Sequence, residues 1–122
     1  MAILQNPHMM MLRVIAPVLG PVISPGSLKK IDIPVKIVVG SSDDQGIPEL
    51  NAIPVSRLIP NSQLLVLPHV THYVFLTRGN VLGSIFARSY VNDPEGVDRL
   101  KVHDDIGEDA SMFFKLYLRE PL

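Results

Sequence analysis

The 122-residue sequence predicts an α/β domain of about three parallel strands with covering helices. Three observations lead there. Short, nearly continuous apolar runs at residues 12–17, 35–39 and 63–67 have the length and composition of strands covered on both faces. A stretch at 48–59 and another at 103–118 place apolar residues at helical spacing. With 47% apolar and 19% charged residues, the chain carries enough apolar surface to form a core.

The elements follow in order. Residues 12–17 read as a buried strand with Arg13 as its one charge. A loop rich in Pro and Gly comes next (Gly20, Pro21, Pro25, Gly26), then a short helical turn at 27–30. Residues 35–39 form the best strand, β-branched almost throughout, and it stops at Gly40 before a polar stretch at 41–45. Leu50, Ile53, Leu58 and Ile59 predict a helix over 48–59, with Pro48 in its first turn. Pro54, inside that run, is expected to kink the helix or cost it one bond. Pro60 and Asn61 end it.

Residues 63–67 are the third buried strand, closed by Pro68, and 77–96 read as loop with one helical turn. In the tail, Ile106, Ala110, Phe113, Phe114 and Tyr117 fall near one stripe of a helix. The helix at 48–59 should join the last two strands by a right-handed crossover. Eleven prolines in 122 residues, about twice the usual share, fit many short elements. Three strands are few for a sheet covered on both faces, so residues 1–122 read as a single partial domain with bare sheet edges.

Charge and cysteine content exclude several functions. Eleven Lys and Arg against twelve Asp and Glu leave no basic surplus for a nucleic-acid backbone and no acidic tail. The absence of cysteine excludes a disulfide scaffold, a thiolate zinc site and a cysteine nucleophile, and fits a reducing compartment. Residues 9–23 are apolar but are interrupted by Arg13, Pro17 and Pro21, and are shorter than the roughly 20 residues a spanning helix needs. No basic residue precedes Arg13, as a secretory signal would require. The expected location is cytoplasmic, with no membrane partner.

In open α/β sheets, ligands and catalytic groups gather beyond the carboxyl ends of the strands. Gly40-Ser41-Ser42-Asp43-Asp44 follows the second strand and Pro68-His69-Val70-Thr71-His72-Tyr73 follows the third. Adjacent parallel strands would set the two loops side by side, so that a carboxylate could hold Nδ1 of a histidine and make it a general base. Spacing alone serves equally a helix-capping Asp43 and a His72 that fills a polar loop. His69 and His72, with Asp43, Asp44 or His103-Asp104-Asp105, lack metal-ligand spacing, and no Lys follows Gly40-Ser41-Ser42 as a phosphate loop would require. No metal and no cofactor are expected.

Residues 33–43 (Ile33-Pro34-Val35-Lys36-Ile37-Val38-Val39-Gly40-Ser41-Ser42-Asp43), followed by Pro48, resemble the late strand and acid loop of α/β-hydrolases. Leu67-Pro68 with His72-Tyr73 resembles the final strand and histidine loop of that superfamily. Ala16-Pro17-Val18-Leu19-Gly20, Ser27-Leu28-Lys29-Lys30-Ile31, Gly96-Val97-Asp98-Arg99 and the tail with Phe113-Phe114 are similar to dienelactone-hydrolase-like proteins. The resemblance runs from about Leu12 to Leu118 and implies a partial α/β-hydrolase fold. It implies Asp43 as the triad acid, with Asp44 as the alternative, and His72 as the triad base. His69 is expected on the surface. Thr71 stands where the family often has glycine, and a β-branched residue there restricts the turn.

Triads on this fold run Ser, acid, His, with the serine in a G-x-S-x-G elbow. The sequence holds no G-x-S-x-G, and Ser41, Ser42, Ser84 and Ser89 lack the strand-to-helix setting. The implied chemistry is therefore the acid–base half of ester or lactone hydrolysis, inactive alone, whose partner is a missing N-terminal hydrolase segment carrying the serine. The competing expectation is a non-catalytic interaction module that self-associates or binds a partner through the edge of the first strand, with Met9 to Met11 adding apolar surface.

Overall fold

The computed structural model describes residues 10–118. Three parallel strands form one sheet in the order β1-β2-β3: β1 (Leu12–Ile15), β2 (Val35–Gly40) and β3 (Ser62–Leu67). The predicted α/β class therefore holds. The described residues also form five α-helices: α1 (Pro25–Leu28), α2 (Ala52–Leu58), α3 (Val81–Phe86), α4 (Arg88–Val91) and α5 (Arg99–Leu118).

Alternation along β2 decides which helix covers which face. Val35, Ile37 and Val39 point one way and pack with Leu28 of α1, Ala52 of α2 and Ile59. Lys36 points the other way and reaches Asp109 of α5. Layers on both faces explain why five of the six β2 residues are buried. The expectation of three buried strands holds only for this central one. Among the described residues β1 and β3 each have one strand neighbour, and Leu12 and Ile15 are 43% and 42% exposed. An edge strand keeps one flank bare whatever its hydrophobicity.

Several boundaries differ from the sequence expectation. β1 stops at Ile15, because Ala16 adopts φ +51° and turns the chain out of the sheet. α2 begins at Ala52, four residues late. Asn51 leaves helical geometry while its side chain accepts from the Gly20 amide at 3.1 Å and donates to the Ile47 carbonyl at 3.1 Å. Pro54 thereby falls in the first turn of α2, where its missing N–H would have had no intrahelical partner, so the expected lost bond does not arise. The stretch expected as loop with one turn holds two short helices, α3 capped by Asn80 and α4 directly after it. α5 starts at Arg99, before the predicted 103, because the Asp98 carboxylate accepts from the amides of Leu100 and Lys101.

The predicted stripe of α5 does face inward, with Phe113 buried and Ile106, Ala110, Phe114 and Tyr117 half-buried. On the same side, Asp109 lies 2.8 Å from Lys36 Nζ and 3.0 Å from Arg13 Nη2, so one carboxylate of the helix meets two cations of the sheet. No helix of the described residues is long and apolar enough to cross a membrane. Met9 lies outside the described residues, and Met10 is 66% exposed.

Candidate active site

The register of β2 with β3 sets Gly40 beside Leu67, so the loops leaving both strands start level with each other at their carboxyl ends. Backbone bonds then stitch them together. Ser41 N–H donates to Leu67 O at 2.8 Å and Ser42 N–H to Val70 O at 3.1 Å. The His69 amide donates to Ser41 Oγ at 2.8 Å, with His69 at φ +61° making the turn off β3. His69 is exposed, as expected.

Gly40 is the position where the loops nearly touch. A Cβ built there would lie 2.0 Å from the Val70 carbonyl oxygen and 2.6 Å from its carbon. Only a residue without a side chain permits this crossing. The sequence marked Gly40 as the end of a strand; its role in bringing two loops together needs the third dimension.

The crossing delivers the two predicted residues to one place. Asp43 Oδ2 and His72 Nδ1 are 2.8 Å apart, and the Asp43 side chain is wholly buried while that of His72 is 23% exposed. The other carboxylate oxygen, Oδ1, accepts from the amides of Gln45 at 3.0 Å and Gly46 at 2.6 Å. These amides hold the carboxylate in one orientation. An ionised carboxylate only accepts, so Nδ1 of His72 carries the proton. In the neutral ring this leaves the lone pair on Nε2, which makes no hydrogen bond within the described residues. Of the two neighbouring carboxylates, Asp43 makes the contact to His72, and Asp44 is exposed.

His72 opens a short 3-10 turn, His72–Phe75. Thr71 before it is extended, φ −96° and ψ 169°, which suits a β-branched residue; no glycine is needed there. Tyr73 stacks edge-on against His72 at 5.3 Å between ring centroids and against Tyr90 of α4 at 4.6 Å. A polar cavity of about 560 Å³ lies next to the turn, lined by Asp44, Thr71, Tyr73, Ser89 and Tyr90 among others.

α5 supports this turn from behind, a relation the sequence did not reveal. His103 Nε2 donates to Val74 O at 2.7 Å; a carbonyl can only accept, so the proton is on Nε2. Arg99, 3% exposed, pairs through Nε with Asp93 at 2.7 Å and donates to the carbonyls of Leu76, Thr77 and Tyr90. Arg99 and His103 stand four residues apart on α5, a spacing that sets both on one side of the helix.

Among the described residues no group of three or more His, Asp or Glu converges as metal ligands would. Among the described residues no hydrogen bond joins a serine to His72, and Ser41 uses its hydroxyl to accept from His69. No protein-family model matches the sequence, and no curated protein matches it either.

Proposed function

We propose that Asp43 and His72 are the acid and base of a serine-type hydrolase acting on esters or lactones, in an α/β-hydrolase of the dienelactone-hydrolase-like kind, and that the serine comes from another segment. The observation that carries the reading is the 2.8 Å contact from a buried carboxylate to Nδ1, with Nε2 left unbonded. In this arrangement Asp43 fixes the ring and its tautomer, Nε2 takes the proton of the serine hydroxyl as it attacks the carbonyl carbon, and the resulting imidazolium is stabilised by the carboxylate. His72 then returns the proton to the leaving alkoxide, and the acyl group is released to water by the same base. A cytoplasmic location suits a chain without cysteine.

Two measurements test this. In the 15N spectrum of the folded chain at neutral pH, His72 should show its proton on Nδ1, and Asp43→Asn should abolish that preference. A His72 that carries its proton on Nε2 in the unaltered protein overturns the assignment. Intact-mass analysis after fluorophosphonate treatment should find no adduct on the chain alone. An adduct lost in His72→Ala would place the nucleophile within this chain and refute the need for a second segment.

A second reading, an interaction module, is favoured by one feature: the bare flank of β1 beside an apolar groove lined by Leu12, Val14, Val35, Ile37, Val55 and Ile59 among others.

A further inference from the structure

The polar cavity of about 560 Å³ beside the His72 turn has the volume of a small-molecule site, which runs to roughly 300–1,000 Å³. Its wall comes from three parts of the chain. Asp44 belongs to the loop after β2, Thr71 and Tyr73 to the segment after β3, and Ser89, Tyr90 and Asp93 to α4 and the turn beyond it. His72 stands between two of these residues in the chain, so a molecule held here lies beside the turn that carries it.

Charge and aromaticity set the chemistry of this cavity. No Lys, Arg or His lines it. Of its two carboxylates, Asp93 is already paired with the buried Arg99 at 2.7 Å. Asp44 is exposed, and its carboxylate has no cation partner among the described residues. The cavity therefore carries an uncompensated negative charge, and a cleft lined by one sign concentrates the opposite one. The rings in the wall act in the same direction. Tyr73 and Tyr90 meet at 4.6 Å with their planes at 68°, so two aromatic rings form one corner. The face of such a ring attracts an organic cation through its quadrupole and repels an anion. A metal ion fits less well, since no three acids or histidines of the described residues converge. A neutral polyol would find hydroxyls but leave the charge of Asp44 unused.

We propose that this cavity binds an organic ammonium group, with Asp44 supplying the opposite charge and Tyr73 and Tyr90 the aromatic wall. The assignment of that group to the substrate rests on the function proposed above, under which the ester or lactone carries its positive charge away from the reacting carbonyl.

Three probes of nearly equal shape test the site on the full chain: choline, its uncharged carbon isostere neohexyl alcohol, and the tert-butylacetate anion. Followed by NMR, choline should bind saturably and shift the signals of Asp44, Tyr73 and Tyr90. The alcohol should bind at least roughly tenfold more weakly, and the anion more weakly still. Asp44→Asn, at an exposed position outside the Asp43–His72 contact, should narrow the gap between choline and the alcohol by roughly threefold or more. Tyr90→Leu should weaken choline more than the alcohol. Equal binding of choline and the alcohol, choline shifts confined to other residues, no saturable choline binding, or a choline preference unchanged in Asp44→Asn each overturns the proposal. No readout involves turnover or the His72 tautomer, so the ammonium site and the Asp43–His72 assignment stand or fall separately.

Discussion

Replacing Gly40 with alanine perturbs the site at the point where its two loops cross. The new Cβ would sit 2.0 Å from Val70 O, a separation real Cβ atoms do not show, so the loops must part by about 1 Å. The Ser42–Val70 bond at 3.1 Å and the Ser41–Leu67 bond at 2.8 Å then stretch beyond useful range. These are worth roughly 1 kcal/mol each, and the Asp43–His72 bond at 2.8 Å, involving a charged acceptor, roughly 2 kcal/mol. The expected loss is about 4 kcal/mol, a large share of the roughly 5–15 kcal/mol that holds a typical domain together. Urea unfolding measures it, and the 15N tautomer of His72 in the remaining folded fraction should lose its Nδ1 preference. Gly107→Ala provides the contrast. It lies in α5 with nothing within 4 Å of a built Cβ, and should stabilise by about 1 kcal/mol through helix propensity. A Gly40→Ala protein within 1 kcal/mol of the parent and with its His72 tautomer unchanged would refute the crossing as the device that builds the site.

Asp109→Ala leaves Arg13 and Lys36 together on the sheet without a carboxylate, and should cost about 3 kcal/mol in urea unfolding, since stranding part-buried charge is the expensive way to break an ion pair. On the surface of α5, Asp105, through its hydrogen bond and its charge, raises the pKa of Lys101 above 10.5. A raised lysine pKa gives stabilisation that is complete below 10.5 and fades only as pH climbs through the higher folded value. Lys101→Ala should therefore leave the shape of the stability curve unchanged between pH 5 and about 9, and differ from the parent in shape only at strongly alkaline pH.

How much of this was legible in the sequence depended on whether the cause was local. The run 35–39 names the central strand, because burial on both faces demands continuous β-branched residues and little else writes such a pattern. Asp43 and His72 stood out less sharply: their place in the loops after the second and third strands serves a cap and a polar loop equally well, and only the resemblance paired them as acid and base. Edge status was not legible, as Leu12 and Ile15 are as apolar as core residues and only the number of neighbouring strands exposes them. The late start of α2 depends on Asn51 reaching Gly20, thirty-one residues away. Arg13 was visible as one charge in an apolar run, but its partner lies 96 residues on, and the spacing that gives α5 its inward stripe does not say which strand the stripe meets.

The bond from His103 to Val74 ties the turn that carries His72 to one residue outside both loops. Val74 is fully buried, and its carbonyl, two residues past His72, accepts from His103 Nε2 at 2.7 Å. His103→Ala leaves that carbonyl without a partner, which costs about 1–3 kcal/mol and loosens the turn that carries the base. If α5 only adds bulk stability, the loss appears in urea unfolding alone, and the His72 tautomer of the folded protein stays as in the parent. If α5 positions His72, the Nδ1–H signal broadens or shifts while the fold persists, and Asp43→Asn adds less than its separate effect on top of His103→Ala, because the two substitutions release the same ring from opposite sides. Additive effects on the His72 signal would sever α5 from the site and leave His103 a packing residue.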